Sequence, residues 1–148
     1  AVAGQRLKAR YLNLIDADSQ SFNDFMAARK MPRKTETDKA VRKAAIDAAS
    51  LQMTEIPLET LQLTIELLDL AAQVIKHGNN NAISDAGVAA KQAETAAVGA
   101  WLNVQVNLPQ VADPERQKEI RDEADALLDQ VQRTTRGLLQ RVKNKLPV

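Results

Sequence analysis

Asp18 is the residue whose position most suggests chemistry. From Leu7 to Phe25, apolar side chains stand at Leu7, Tyr11, Leu14, Phe22 and Phe25, and Asp18 falls in the gap between Leu14 and Phe22. At 100° per residue it lies about 20° around a helix from Leu7, with Phe22 at about 60° and Asp16 at about 180°. This places Asp18 within the apolar stripe and Asp16 outside it. A carboxylate held among Leu14, Phe22 and Phe25 loses hydration, so it must be paired, hydrogen-bonded or protonated. Such a group is either a proton-transfer carboxylate or a structural Asp bonding a neighbouring helix end or a lysine.

A second set of polar residues lies in the stretch Gly78–Asn107, a polar loop opening into a long helix. Asp85, Ala89, Ala93, Ala96, Ala100, Asn103 and Asn107 fall within about an 80° sector, a narrow stripe that is polar at both ends. Alanines in its middle admit a close neighbour helix, which predicts a central place in a bundle. Asp85 and Asn103 are eighteen residues apart, about 27 Å at 1.5 Å per residue, so one pocket of one subunit cannot hold both. Asn79, Ser84 and Asp85 sit where a helix N-terminus favours anions, with simple capping the alternative for Asp85. Asn103 and Asn107 read as polar packing or interface residues. A third set, the basic loop of Arg29, Lys30, Arg33 and Lys34, is either a solvated connection or a clamp for a carboxylate-bearing ligand.

Other chemistries lack their parts. There is no phosphate-binding glycine loop, no H-E-x-x-H and no nucleophile elbow, and the E-x-x-H pairs of di-metal carboxylate sites are missing, so no metal site is expected. The single histidine, His77, precedes Gly78 at a predicted helix end and reads as a cap or dipole partner rather than a general base. No cysteine is present, which excludes disulfides and thiolate sites.

The elements that must position these groups are helical throughout. The first spans Val2 to Ala28 and is already under way without a capping residue, which suggests a start upstream of Ala1. Pro32 ends it, and Thr35 or Thr37 caps the second, Thr35 forming a capping-box variant with Asp38. Pro57 fits the first position of a third helix, reaching His77. Its two apolar stripes, Leu58, Leu61, Ile65, Leu68, Ala72 and Ile75 against Leu63, Leu67, Leu70 and Val74, predict a helix sandwiched between neighbours. The fourth ends before Pro109, and Asp113-Pro114 opens the last, which runs to about Lys145.

Composition agrees with an all-α, single-domain bundle of about five helices over residues 1–148. The chain is 45% hydrophobic but only 3% aromatic, with Gly and Pro at five each, which is helix-forming usage. Lys+Arg number 20 against 19 Asp+Glu, and a net charge of +1 argues against nucleic acid as a partner. No run approaches the length of a spanning helix and no signal-peptide core is seen, so no membrane association is expected and cytoplasm is the default compartment.

The order of short motifs resembles the cyclodeaminase/cyclohydrolase family of folate enzymes. Gly78-Asn79, Ser84-Asp85, Val88-Ala89-Ala90, Gly99-Ala100, Asn103-Val104 and Asn107-Leu108 carry it, supported by Leu14 to Phe22, Met31 to Thr35 with Lys39, and Ile56 to Leu58. The resemblance implies an all-helical homodimer acting on a tetrahydrofolate, with no cofactor beyond that substrate. Two reactions are implied: hydrolysis of methenyltetrahydrofolate to formyltetrahydrofolate, and deamination of formiminotetrahydrofolate. Asp18, matching the second Asp of the family's pattern, would handle charge and proton. Asn79, Ser84, Asp85 and Asn103 would bind pterin or orient water, and Arg33 or Lys34 would meet the glutamate tail. The family normally begins with two further helical segments bearing a glycine-rich turn, which these 148 residues do not contain. Pro32-Arg33 stands where the family commonly has Pro-Lys, keeping the charge but not its geometry. The alternative reading is a helical dimerisation or scaffold protein that keeps the fold without turnover.

Overall fold

A helix of 42 residues, Glu36–His77, is the element on which the others pack. The computed structural model describes residues 2–146, with Asn80 by its backbone alone. The order is α1 (Val2–Lys30), α2 (Glu36–His77), a 3₁₀ turn (Asn80–Ala82), α3 (Ile83–Asn107), a second 3₁₀ turn (Leu108–Gln110) and α4 (Pro114–Lys145). The expected upstream start of α1 lies outside the described residues.

The helices expected on either side of Pro57 are one helix, so the described residues form four long helices. A proline ordinarily marks a helix start, because it supplies no N–H and crowds the carbonyl four residues back. Here the backbone continues through it: Pro57 is buried inside α2, and the free carbonyl, Met53 O, accepts from the side-chain amide of Asn107 at 2.8 Å. A neighbouring helix thus supplies the hydrogen bond that the proline removes.

The termini follow local rules. Thr35 and Asp38 form a reciprocal capping box, Asp38 N–H donating to Thr35 Oγ1 and Thr35 N–H to Asp38 Oδ2, both at 3.0 Å. At the other end of α2, Gly78 N–H donates to Val74 O at 2.8 Å. A Cβ on Gly78 would lie 2.4 Å from that same oxygen, so the tight exit after His77 requires glycine. Asp113 caps α4 by accepting from Glu115 N–H, with Pro114 at the first position.

Cross-helix pairs set the directions. Arg10 meets Glu59 and Glu66 while Arg42 reaches Arg29 O, so α1 and α2 run antiparallel. Asn107 with Met53 makes α3 antiparallel to α2, and Glu55 with Arg116 and Gln62 with Glu123 make α4 parallel to it. The main core joins Leu61, Leu68 and Ile75 of α2 to Ala90, Ala97 and Val104 of α3 and to Ile120, Val131 and Leu138 of α4. The other stripe of α2 packs Ile56 and Leu63 on Leu7 and Leu14 of α1. A third contact sets Phe25 of α1 against Ala49 and Met53 of α2. The two-sided pattern read from the sequence is therefore the central role of α2.

The buried face of α3 differs from the expected one. It comprises Ile83, Ala86, Ala90, Ala93, Ala97, Ala100 and Val104, alternating steps of three and four. Its centre lies about 75° around the helix from the stripe that includes Asp85 and Asn103. The heptad seam selects the larger apolar ends Ile83 and Val104, and Asp85 and Asn103 stay exposed and hydrated. Small residues still do the expected work: α4 approaches closely enough that a Cβ on Gly87 would stand 3.3 Å from Val142.

Candidate functional site

A cleft of about 310 Å³ opens where α1, α2 and α3 meet. Helix α1 contributes Tyr11, Ile15, Asp18 and Ser19, α2 contributes Pro57 and Thr60, and α3 contributes Ala96, Gly99, Ala100 and Asn103. Asp18 and Asn103, 85 residues apart in sequence, are thereby brought to one site. The floor is shallow because small side chains line α3, and a Cβ on Gly99 would meet open space.

Asp18 is exposed, not enclosed among Leu14, Phe22 and Phe25 as expected. The buried stripe of α1 is Leu7, Leu14, Ser21, Phe25 and Ala28. It drifts backward by about 20° per heptad, so by the level of Asp18 the core direction has moved about 50° away from it. An angle measured from Leu7 alone misses that drift. The carboxylate falls on the edge facing the cleft, and Ser21, whose hydroxyl donates to Asp18 O at 2.8 Å, occupies the core position instead. Among the described residues the Asp18 carboxylate has no hydrogen-bond or ion-pair partner, and it stands free to meet a cationic or proton-bearing ligand.

Tyr11, which the sequence reading treated only as an apolar position, closes one side of the cleft. Its hydroxyl lies 3.3 Å from Thr64 Oγ1, and Thr64 donates in turn to Thr60 O at 3.1 Å. Burial raises the phenol above its ordinary value, opposed by the Thr64 hydrogen bond; Glu66 adds to the rise and Arg10 offsets it. Tyr11 is therefore a neutral O–H at physiological pH. This chain of hydroxyls between two helices could be found only by knowing that α1 and α2 pair antiparallel, and no local motif announces it.

The remaining predicted residues lie elsewhere. Asn79, Ser84 and Asp85 are exposed at the opposite end of α3, and the eighteen residues from Asp85 to Asn103 span about 27 Å of helix. Asn79 Oδ1 accepts from Asn81 N–H at 3.0 Å, closing the loop on itself. Asp85 lies in the first turn of α3, where the cap position is held by Ala82 without a side-chain bond. Ser84 borders a separate apolar groove with Gly87, Val88 and Leu139. Arg33 and Lys34 are exposed on the loop beyond α1, whose last residue, Lys30, is twelve residues or about 18 Å along the axis from Asp18. Arg42 anchors that loop by donating to Arg29 O at 3.0 Å.

No group of three or more metal-ligating side chains occurs among the described residues. No helix among them is long and apolar enough to cross a membrane. The cleft thus offers one exposed carboxylate, an amide, hydroxyls and a flat apolar floor. That set suits a planar polar ligand and proton transfer by a carboxylate.

Comparison with known proteins places the chain in a family. Residues 1–126 match the family described as formiminotransferase-cyclodeaminase. A methenyltetrahydrofolate cyclohydrolase of Methylorubrum extorquens is 34% identical over 140 residues, which cover 95% of this chain and 67% of that protein. The formimidoyltransferase-cyclodeaminase of Sus scrofa is 31% identical over 135 residues, 91% of this chain and 25% of its relative. Among solved structures, a formiminotetrahydrofolate cyclodeaminase from Thermotoga maritima shares the fold with a TM-score of 0.71 at 21% identity, over 96% of this chain and 65% of that one. The chain therefore spans a quarter of the Sus scrofa relative and about two thirds of the other two.

Proposed function

The chain belongs to the formiminotransferase-cyclodeaminase family, and from that premise we propose that its three-helix cleft hydrolyses methenyltetrahydrofolate to formyltetrahydrofolate. The observation that carries this reading is the convergence of Asp18 and Asn103 on one cleft with a flat floor of Ala96, Gly99 and Ala100. The related deamination of formiminotetrahydrofolate uses the same parts and is the second reading, favoured by the Sus scrofa relative.

The substrate's one-carbon bridge is cationic, and the unpaired Asp18 carboxylate attracts it. Water adds to the bridging carbon, its oxygen forming the new C–O bond while Asp18 takes its proton. The tetrahedral carbon then collapses to a formyl group as one C–N bond breaks: the departing nitrogen receives the proton that Asp18 holds, and the remaining hydroxyl proton is released to solvent as the C=O bond forms. Asn103 orients the water or a pterin edge, and the Tyr11 oxygen, whose proton is given to Thr64 Oγ1, accepts from a ring N–H. In the deamination, a folate nitrogen attacks the formimino carbon instead and ammonia leaves, with Asp18 again moving the proton. Arg33 or Lys34, on the loop beyond the end of α1, would meet the far end of an extended glutamate tail.

The working unit is a homodimer in this account. Leu12, Ile15, Phe22 and Met26 of α1 form an exposed apolar row, and Val88, Leu102 and Val106 of α3 form another, with Ile15 62% and Val106 70% exposed. Such rows flanking a cleft fit association of two copies. Antiparallel pairing of two α3 helices would also return Asn79, Ser84 and Asp85 to the cleft end of a partner. The reading places the protein in the cytoplasm, where folate substrates are met.

The test is product analysis with purified chain. Formyltetrahydrofolate from methenyltetrahydrofolate above the uncatalysed rate supports the hydrolase reading; ammonia from formiminotetrahydrofolate with no acceleration of hydrolysis selects the deaminase instead. Neither product above the blank rejects both.

A further inference from the structure

We infer that Asn107 is a positioning residue for the cleft, locking α2 at Pro57, the point where that helix is weakest. The kinetic arm of this inference rests on the folate reading above; its structural arm does not.

A proline within a helix deletes one backbone hydrogen bond and crowds the carbonyl four residues back, which makes it the natural bending point. In α2 that carbonyl is Met53 O, and the bond it accepts comes from Asn107 Nδ2 at 2.8 Å, from a residue 54 positions later in the chain. The two halves of α2 have separate attachments to α1. Before the joint, Ala49 and Met53 pack on Phe25; at and after it, Ile56 and then Leu63 pack on Leu7 and Leu14.

The cleft lies at this joint. Ile56, Pro57 and Thr60 form its α2 wall, and Ala100 and Asn103 form the facing part of α3. Asn103 is one turn before Asn107 on the same helix, so the tether holds the polar wall of the cleft against the bending point of the opposite wall. Without it, α2 is free to bend at Pro57, and the spacing between Asn103 and the Pro57–Thr60 wall is no longer set. Asn107 does not line the cleft, so in this proposal it acts only through Met53 and Pro57.

Three variants test this: Asn107→Ala, Pro57→Ala and the double substitution. Because the chain has no cysteine, spin labels at Ala44→Cys and Gln110→Cys, both exposed, read the distance between the first half of α2 and the turn that closes α3. The expected result is a broadened distance distribution for Asn107→Ala and a rise in KM of about tenfold for methenyltetrahydrofolate. In the Pro57→Ala background, where residue 57 regains an N–H for Met53 O, adding Asn107→Ala leaves both the distribution and the KM near those of Pro57→Ala. An unchanged distribution in folded Asn107→Ala, or equal broadening in both backgrounds, overturns the inference. If Asn107→Ala does not fold, Asn107→Leu, which keeps the volume and removes the donor, takes its place. An inert wild type would reject the folate reading while the label distances still decide this one.

Discussion

Asn107 Nδ2 donates to Met53 O at 2.8 Å across the α2–α3 interface, and Met53 O is the carbonyl that Pro57 leaves without an intrahelical partner. Removing the amide strands a partly buried acceptor. Asn107→Ala should destabilise the chain by about 1–3 kcal/mol in urea unfolding. In the Pro57→Ala background the same substitution should lose under about 1 kcal/mol, because the acceptor is then satisfied within the helix. Equal losses in the two backgrounds would show that the bond does not compensate for the proline.

Substitution of Asp18 tests a part in turnover separately from a part in stability. It is exposed and unpaired among the described residues, so Asp18→Asn should change unfolding free energy by no more than about 0.5 kcal/mol. Turnover should fall about 10²–10⁴-fold if its carboxylate moves the proton. A comparable loss of stability would assign it a structural role.

Gly99 tests the shape of the floor. Its site is helical and open, so Gly99→Ala should stabilise by about 0.5–1 kcal/mol through helix propensity. Gly99→Phe should keep the circular dichroism spectrum but raise KM at least about tenfold by filling the cleft. Unchanged KM in the Phe variant would place the ligand elsewhere.

The capping box gives a pH signature. Hydrogen bonds from the Thr35 backbone and side chain lower the Asp38 pKa from 3.8, so Asp38 binds fewer protons folded than unfolded near that value. Its stabilisation is present above the unfolded pKa and is lost as pH falls through the lower folded one. The melting-temperature gap between wild type and Asp38→Ala should therefore be full at pH 6 and shrink below about pH 3.8. A gap that does not change with pH contradicts the role of the charged form.

Much of the fold was legible because its signals are local. Thr35 with Asp38, His77 before Gly78 and Asp113-Pro114 mark ends through backbone chemistry that any helix obeys. The two stripes of α2 foretold its neighbours on both sides. Pro57 misled because a proline reads the same at a helix start and inside a helix rescued by Asn107, a partner 50 residues away from it. Asp18 lines the cleft but is not in the core where extrapolation from Leu7 puts it, because that angle ignores heptad drift. The stripe assigned to the centre of α3 proved to be the cleft wall at Ala96, Ala100 and Asn103, since the core took the adjacent face. Tyr11 with Thr64 was invisible, because its meaning depends on helix pairing rather than spacing.

The most direct test of the central claim is the rate of methenyltetrahydrofolate absorbance loss with wild type, with Asp18→Asn and without enzyme. This account predicts acceleration by wild type over the blank and a return to near-blank decay for Asp18→Asn, with both proteins equally folded. Decay at the same accelerated rate with both proteins would contradict it, since the cleft carboxylate would then have no part in the reaction.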